Sequence, residues 1–506
     1  MIFIVVVTVY LTLLVGISVY KSFGVKTQDD FMVAGRGVPA YLLVATLVCT
    51  WIGSGSLFGT AGLSFRSGFS ELWFSMGAWI GILVIYFVAA RVRKISQYTL
   101  TDLLEKRYSQ AARILGTIAI IVAYMVIAGY QFKGGGRFIA ILTEGSVSPE
   151  TGMLITCIFI VLFTMLAGMV SIVSIDVFNG SIMIIAMVLT LPFAISAHGG
   201  WDAVVTTIES KNPHYLSMVE GHSVWWVFGI ILPTFLLLLS ESSMYQKFSS
   251  AKDENSARRA VMGMFTGVVF VEFLMCAIAV VGYAIYSNDP RFFLSDGAID
   301  RAMAEEVILR IGYEQLPGLL GAILFAAGSA IIISTGNTFL MVTSTNVTRD
   351  FFQTFIYKDA TSKQIVLIQR ACIVVIGLLA YLLMSQFKTI LEMALISYTM
   401  IGASLAPVLL ASFFWKRVTR AGGVASIASG MATVLFIAIV NKVLEAQEGT
   451  TELFGVIPFP MNTDYIAIPA VLVSVSTLVI VSLLTPPDPE SVWGPFMERK
   501  ESITKA

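Results

Sequence analysis

YLLVATLVCTWIGSGSLFGTAGL, residues Tyr41–Leu63, decides how the rest of this chain is read. The stretch is long enough to cross a bilayer and apolar at both ends, yet Gly53, Gly55, Gly59 and Gly62 interrupt its middle. A glycine costs a helix roughly 1 kcal/mol against alanine, so four within one span predict a local break. At membrane depth irregular backbone survives only where the freed carbonyls line a cavity or meet a ligand. Such carbonyls suit a small desolvated cation. Glycines that simply let a neighbouring helix pack closely explain the stretch equally well when it is taken alone.

The composition around it sets the environment. Of 506 residues, 57% are hydrophobic and 13% charged, against roughly 25% charged in a soluble domain. This predicts an all-α polytopic membrane protein. Apolar runs of about 20 residues place thirteen spans near 1–20, 39–63, 70–90, 113–142, 150–170, 175–198, 223–246, 260–286, 317–347, 365–385, 389–414, 421–442 and 464–485. No basic residue precedes the opening run, so 1–20 reads as a true span and not as a cleaved signal. The formal net charge of zero gives no indication of nucleic acid. Cys49, Cys157, Cys276 and Cys372 lie in apolar stretches and read as buried small residues. No histidine lies in a deep span, which weighs against a membrane enzyme built on a nucleophile–base pair.

Basic residues predict the orientation. Lys21, Lys26 and Arg36 share one side with the clusters at 91–113, 247–259, 349–370 and 416–420 and with Arg499, Lys500 and Lys505. Lys247 counts among them. Fewer cations, among them Arg66, Arg291 and Lys388, fall on the other side. The expectation is N-terminus outside, C-terminus cytoplasmic. The outer loop Tyr286–Pro317, with IDRAMAEEVILR, reads as a surface helix that caps or gates that side. Lys133 and Arg137, flanking Gly134, Gly135 and Gly136, fit snorkelling to the outer interface.

A second span carries an interruption. WWVFGIILPTFLLLLSESSMYQKF is broken by Pro233 and then by Ser240, Glu241, Ser242 and Ser243. Two interrupted spans, five apart, suggest an inverted repeat of 39–198 and 223–414, with 1–20, 421–442 and 464–485 peripheral. In ISTGNTFLMVTSTNVTRD, Ser334, Asn337 and Thr338 share one helical face and Thr335 lies beside it. Their oxygens read as cation ligands opposite the broken helix, the alternative being bonds back to carbonyls one turn earlier. Asp176 is a functional candidate as an intramembrane carboxylate, or else a solvated interfacial acid. Glu272 and Glu392 read as packing or interface groups. Trp51, inside the first break, offers a face whose cation–π attraction reaches ~2 kcal/mol when desolvated; core packing is its alternative.

These motifs also carry a resemblance. CTWIGSGSLFGTAG, QFKGGGRF, GMVSIVSIDVFN, MYQKFSSAKDENSARR and ISTGNTFLMVTSTNVTRD, in that order, make the chain similar to the sodium:solute symporter family over almost its full length. The resemblance implies a leucine-transporter-like inverted repeat of five plus five helices with flanking helices, alternating access, and solute import coupled to Na⁺. It implies a main sodium site from the carbonyls of Cys49, Ile52 and Ile331 and the hydroxyls of Ser334 and Thr335. A second site, found in some members, matches Asp176, Asn337 and Thr338. CTWIGSG is similar to the choline-transporter branch, whose matching tryptophan helps to cage a quaternary ammonium. The sugar and proline branches carry other polar residues at Glu241 and Ser56. Glu241 beside Trp51 favours, on charge alone, an amine-bearing or cationic solute, with Ser56, Ser75, Met244 and Tyr245 completing the pocket. The expectation is a sodium-coupled importer in the plasma membrane, with solute, sodium ion and lipid bilayer as partners. Its rivals are a proton-coupled symporter on the same fold, with Asp176 or Glu241 carrying the proton, and a sodium symporter for a sugar, amino acid or carboxylate.

Overall fold

The computed structural model describes residues 1–497 except 25, 26, 96, 220, 385, 386, 388, 448, 449 and 454–456. Lys26, Lys388, Arg499, Lys500 and Lys505, counted above for orientation, lie outside the described residues. The helices are α1 (Ile2–Ser22), α2 (Gln28–Val33), α3 (Ala40–Trp51), α4 (Ala61–Ser67), α5 (Leu72–Ile95), α6 (Leu100–Arg107) and α7 (Gln110–Leu142). Then come α8 (Pro149–Ala197), α9 (Trp201–Lys211), α10 (Val224–Ser240), α11 (Ser242–Ser250), α12 (Glu254–Tyr286), α13 (Arg301–Ala304) and α14 (Val307–Glu314). The rest are α15 (Gly318–Asn346), α16 (Ser362–Leu383), α17 (Ile390–Phe414), α18 (Arg420–Ala446), α19 (Ala467–Leu484) and α20 (Glu490–Met497). One short antiparallel pair, Thr451–Leu453 with Ile457–Phe459, interrupts this helical architecture.

Twelve helical stretches among the described residues are long and apolar enough to cross a membrane. The count differs from thirteen at the glycine-rich stretch. α3 has 12 residues, too few to span. Its continuation from Gly55 runs through a 3-10 turn at Gly68–Glu71 into α5 as one 41-residue stretch. Taken as two halves of one broken span, α3 and α4 restore the thirteenth. α8, with 49 residues, would run about 74 Å unbroken, more than twice the hydrocarbon thickness. Gly168, at φ +57°, a conformation L side chains rarely adopt, divides it into the two expected spans.

Burial separates the centre from the flanks. The span window of α17 is 89% buried and those in α12 and α15 78%, against 22% for α1 and 33% for α18 and α19. α1, α18 and α19 are therefore the least buried of these windows. α15 packs on α8 and α7, α10 on α5 and α17, and α3 lies among α8, α12 and α15.

Each end of the bundle is tied. At one, Val38 N donates to Ser250 O at 3.0 Å and Lys252 N to Val38 O at 2.8 Å, joining the start of α3 to the end of α11. At the other, the loop after α12 forms α13 and α14, as IDRAMAEEVILR predicts. Glu305 between them accepts the backbone N–H groups of Ile390 and Leu391 at 3.1 and 2.9 Å, satisfying donors that α17 leaves free at its start. Glu305 also pairs with Arg137 at 2.5 Å, and Lys133 Nζ donates to Phe387 O at 2.6 Å. Arg137 is buried and ion-paired; it does not snorkel.

Candidate functional site

The helical ladder of α3 stops where Ile52 N bonds Val48 O at 2.9 Å. Ile52 turns extended, at φ −78° and ψ 99°, and a new helical start forms as Ser56 N and Leu57 N bond Gly53 O. The carbonyls of Cys49 and Ile52 point across the gap to α15, where Thr335 Oγ1 lies 3.1 Å from the first and 3.2 Å from the second. A Cβ on Gly53 would come within 2.8 Å of Thr335 Cγ2 and 3.0 Å of Gln131 Nε2. Both readings of the glycines therefore hold at once: one breaks the helix and also admits α15 to the broken end. The C-terminal end of α3 adds its negative partial charge at this place. Three of the five expected main-site residues, Cys49, Ile52 and Thr335, meet directly. Ile331 and Ser334 lie on the same helix as Thr335, four residues and one residue before it.

Ser334 faces a different partner. Its Oγ donates to Asp176 Oδ1 at 2.5 Å, Thr46 Oγ1 donates to Oδ2 at 2.5 Å, and Asn179 Nδ2 to Oδ1 at 3.2 Å. Tyr10 OH in turn donates to Asn179 Oδ1 at 2.6 Å, and Cys49 Sγ to the Asp176 carbonyl at 3.3 Å. Asp176 is fully buried, so it is no interfacial acid. It joins the main group instead of Asn337 and Thr338: among the described residues it bonds neither. Asn337 Oδ1 accepts from Thr164 at 2.9 Å, and Thr338 Oγ1 is without a partner. At 1.5 Å rise per residue, Asn337 lies about 4.5 Å further along α15 than Ser334.

Lys247 also departs from expectation. The cation counted as a loop residue is fully buried in α11, and its Nζ donates to Thr46 O at 3.0 Å and to the Thr50 hydroxyl. Thr46, Thr50, Asn179 and Gln131 escaped the sequence reading. Asn179 carried a signal at three residues from Asp176, and Thr46 and Thr50 are spaced by one turn. Gln131 accepts Ser54 N at 2.9 Å from QFKGGGRF. Ser54 Oγ, Gln131 Nε2, Ser242 Oγ, Ser243 Oγ, Asn337 Nδ2 and Thr338 Oγ1 are buried without partners. Unpaired buried polar atoms are rare in folded proteins, and these gather at the two breaks and on the facing helices.

The second break falls at Glu241, extended at φ −67° and ψ 99°; α10 passes through Pro233 uninterrupted. Glu241 caps α11 by accepting Ser243 N at 3.2 Å and takes the Tyr124 hydroxyl, which accepts Ser242 N at 2.7 Å. The carboxylate that meets Trp51 is not Glu241 but Glu272, on α12, which accepts Trp51 Nε1 at 2.8 Å and Trp79 Nε1 at 2.6 Å. Ser75 donates to Glu71 at 3.0 Å. Met244 and Tyr245 are buried in α11, with Tyr245 OH on Leu239 O at 2.7 Å. Ser56 is buried beside Gly55, where Tyr130 OH and Tyr398 OH lie 3.2 Å apart. A cavity of about 520 Å³ opens at the Glu305 end, lined in part by Gly59, Gly62, Arg66, Leu391 and Glu392.

Two helices interrupted at depth, five spans apart, with free carbonyls turned to a hydroxyl-bearing helix, define a secondary transporter of the leucine-transporter-like class. Solved structures agree in fold: a Na⁺-coupled sialic acid symporter in a substrate-bound outward-open state superposes with a TM-score of 0.77 at 14% identity, over 96% of this chain and 98% of that one. MhsT in complex with L-phenylalanine gives 0.55 at 12% identity, over 88% and 98%. The pattern of the sodium:solute symporter family matches residues 31–430, and the chain belongs to that family. Among its relatives, the osmoregulated proline transporter OpuE of Bacillus subtilis (strain 168) is 26% identical over 94% of this chain and 92% of its own length. The sodium/proline symporter of Escherichia coli (strain K12) is 25% identical over 84% of each. These relatives are transporters and not enzymes.

Proposed function

We propose that the chain imports a small solute together with Na⁺ by alternating access, with the ion held in the seam between α3 and α15. The observation that carries this is the Thr335 hydroxyl lying within 3.2 Å of both the Cys49 and Ile52 carbonyls. Neutral oxygens at the negative end of a broken helix strip Na⁺ of water without trapping it. Ser334 supplies a further ligand: its proton points to Asp176, which leaves the oxygen lone pairs for the ion. Asp176 thus orients a ligand and offsets the ion's charge, and a second ion at Asn337 and Thr338 is not needed. Moving one charge inward releases about 2.3 kcal/mol per 100 mV. Sodium drives the cycle by binding one conformation better than the other, clamping α3 to α15 until the two separate.

The solute best supported is a small amino acid of proline's kind, the cargo in the names of the relatives. Glu241, on which an amine-bearing or cationic solute was expected, is engaged by Tyr124 and the α11 cap. The repeats are 39–198 and 223–414, in a plasma membrane with the N-terminus outside and the C-terminus cytoplasmic. Uptake into proteoliposomes tests the reading. Ser334→Ala with Thr335→Ala is expected to abolish sodium-stimulated uptake in a protein that still folds, and retained sodium dependence would refute the site. Replacing Na⁺ by choline or Li⁺ at fixed pH should stop uptake; an unchanged rate would favour proton coupling.

A further inference from the structure

A second polar chamber lies beside the first break and takes no part in the sodium seam. Glu71, at the end of the 3-10 turn Gly68–Glu71, is fully buried. Its Oε1 accepts the Ser75 hydroxyl at 3.0 Å, and its Oε2 has no partner. Glu272 approaches from α12, 5% exposed, accepting the two indole N–H groups of Trp51 and Trp79. Ser75 lies one turn before Trp79 on α5, so the helix face that binds Glu71 also binds Glu272, and Cys276 lies one turn beyond Glu272 on α12. Two buried carboxyl groups therefore meet one face of α5, with Ser75 bonded to the first and Trp79 to the second.

The neighbouring groups supply donors, and His222 meets Ser70, one residue before Glu71, at 2.9 Å. On α4 the Ser64 hydroxyl donates to Thr60 O at 2.9 Å, α12 carries Cys276, and α17 places Tyr398 near Glu272 and Glu241. Tyr215 stacks on Tyr283 and lies near Cys276. The buried cations among the described residues are engaged elsewhere: Lys247 at Thr46 and Thr50, Arg137 at Glu305, Arg107 at Asp488 and Arg113 at Asp350. Indole and hydroxyl donors satisfy one carboxylate, and among the described residues no ion pair offsets the charge of two. Uncompensated charge at this depth costs several kcal/mol, and carboxylates sharing one site keep a proton between them.

We propose that Glu71 and Glu272, bridged by Ser75, form a proton-binding site that holds one proton between two carboxyls. The proton comes from water and returns to it. On Glu71 it is donated to Ser75 Oγ, whose own hydrogen turns to Glu272, which stays ionised under its two indoles. Trp51 is the last residue of α3, directly before the break at Ile52, so gain or loss of the pair's proton, felt at Glu272 through Ser75, reaches the transport site through one further hydrogen bond. This site stands beside the sodium seam and does not depend on it.

The same indoles report the titration. Full-length protein in lipid nanodiscs, free of sodium and solute, should show one pH-dependent transition in tryptophan fluorescence. Glu272→Gln should abolish it. Glu71→Gln removes the neighbouring charge and should move the midpoint toward acid by at least about tenfold in proton concentration. Ser75→Ala removes only the bridge and serves where a buried Glu→Gln fails to fold; it should move the midpoint by at least about threefold. No transition in the unaltered protein, or a midpoint that none of these variants moves, would overturn the proton site. Lost sodium-stimulated uptake with a normal titration would instead count against the seam.

Discussion

Asp176 and Asp350 are both buried carboxylates, and their partners differ in kind. Asp350, in the π-helical turn Val347–Ile356 after α15, receives Arg113 Nε at 3.0 Å and Nη2 at 2.8 Å, with the hydroxyls of Thr101 at 2.5 Å and Thr117 at 2.8 Å. Arg113 also holds Asp102 at 2.7 Å and Glu105 at 2.5 Å. Every direct partner of the Asp176 carboxylate is neutral: Thr46, Ser334 and Asn179. A guanidinium fork fixes its carboxylate and locks α6 and α7 to the end of α15. Rotatable hydroxyls can share their oxygens with an arriving ion. Burial alone does not mark an acid as functional; the chemistry of its partners does.

The contrast can be broken by experiment. Arg113→Met leaves Asp350 buried without its cation and Asp102 with only Arg349 at 3.5 Å, and should cost about 3–5 kcal/mol, seen as a large fall in the thermal unfolding midpoint. An unchanged midpoint would mean that the network is not a lock. Asp176→Asn keeps the shape but removes a charge-assisted bond worth about 1.5–3 kcal/mol. It should raise the sodium concentration for half-maximal uptake by about 10- to 100-fold with little change in thermal stability. If stability falls and sodium affinity does not, the two acids are alike after all.

Two smaller effects sharpen the picture. Glu305→Gln keeps an acceptor for the α17 backbone but loses the charge opposite Arg137, an expected loss of about 1 kcal/mol. Faster labelling of a cysteine introduced at Gly59, in the cavity below, would register the loosened loop; unaltered labelling would deny the loop a gating role. Least of all, Arg291→Ala removes an exposed pair with Asp289 at 2.6 Å and Glu314 at 2.9 Å. Solvent and salt screen such pairs to about 0.2–1 kcal/mol. The Arg291 hydrogen bonds hold Asp289 below the usual carboxylate range. A depressed value gives stability at neutral pH that is lost as pH falls through it. The difference between variant and parent should therefore be measurable at neutral pH and fade as pH falls below the usual carboxylate range, and a difference that grows in acid would contradict the assignment.

Much of the site was legible residue by residue. Gly53, Gly55, Gly59 and Gly62 predicted the break because glycine is poor in a helix interior, and helical periodicity put Ser334, Asn337 and Thr338 on one face with Thr335 beside it. Asp176 stood out because a carboxylate in an apolar span is expensive. Less legible was who meets whom. Trp51 and Glu272 are 221 residues apart, and nothing local distinguishes Glu272 from Glu241 as the partner. Lys247 follows a membrane span and precedes Lys252, Arg258 and Arg259, so charge counting assigned it to a loop. Only the register of α11 against α3 buries it.

The sequence by itself determined the all-helical membrane architecture, the two interrupted spans and the helix that bears the hydroxyls. Hydropathy, glycine content and the 3.6-residue period are local properties, written in consecutive residues. Tertiary structure alone decided that Asp176 meets Ser334 and not Asn337, that Glu272 and not Glu241 holds Trp51, and that Glu71 and Glu272 meet the same face of α5. Those pairings depend on the rotation and depth of helices far apart in the chain, which packing settles and no single span encodes.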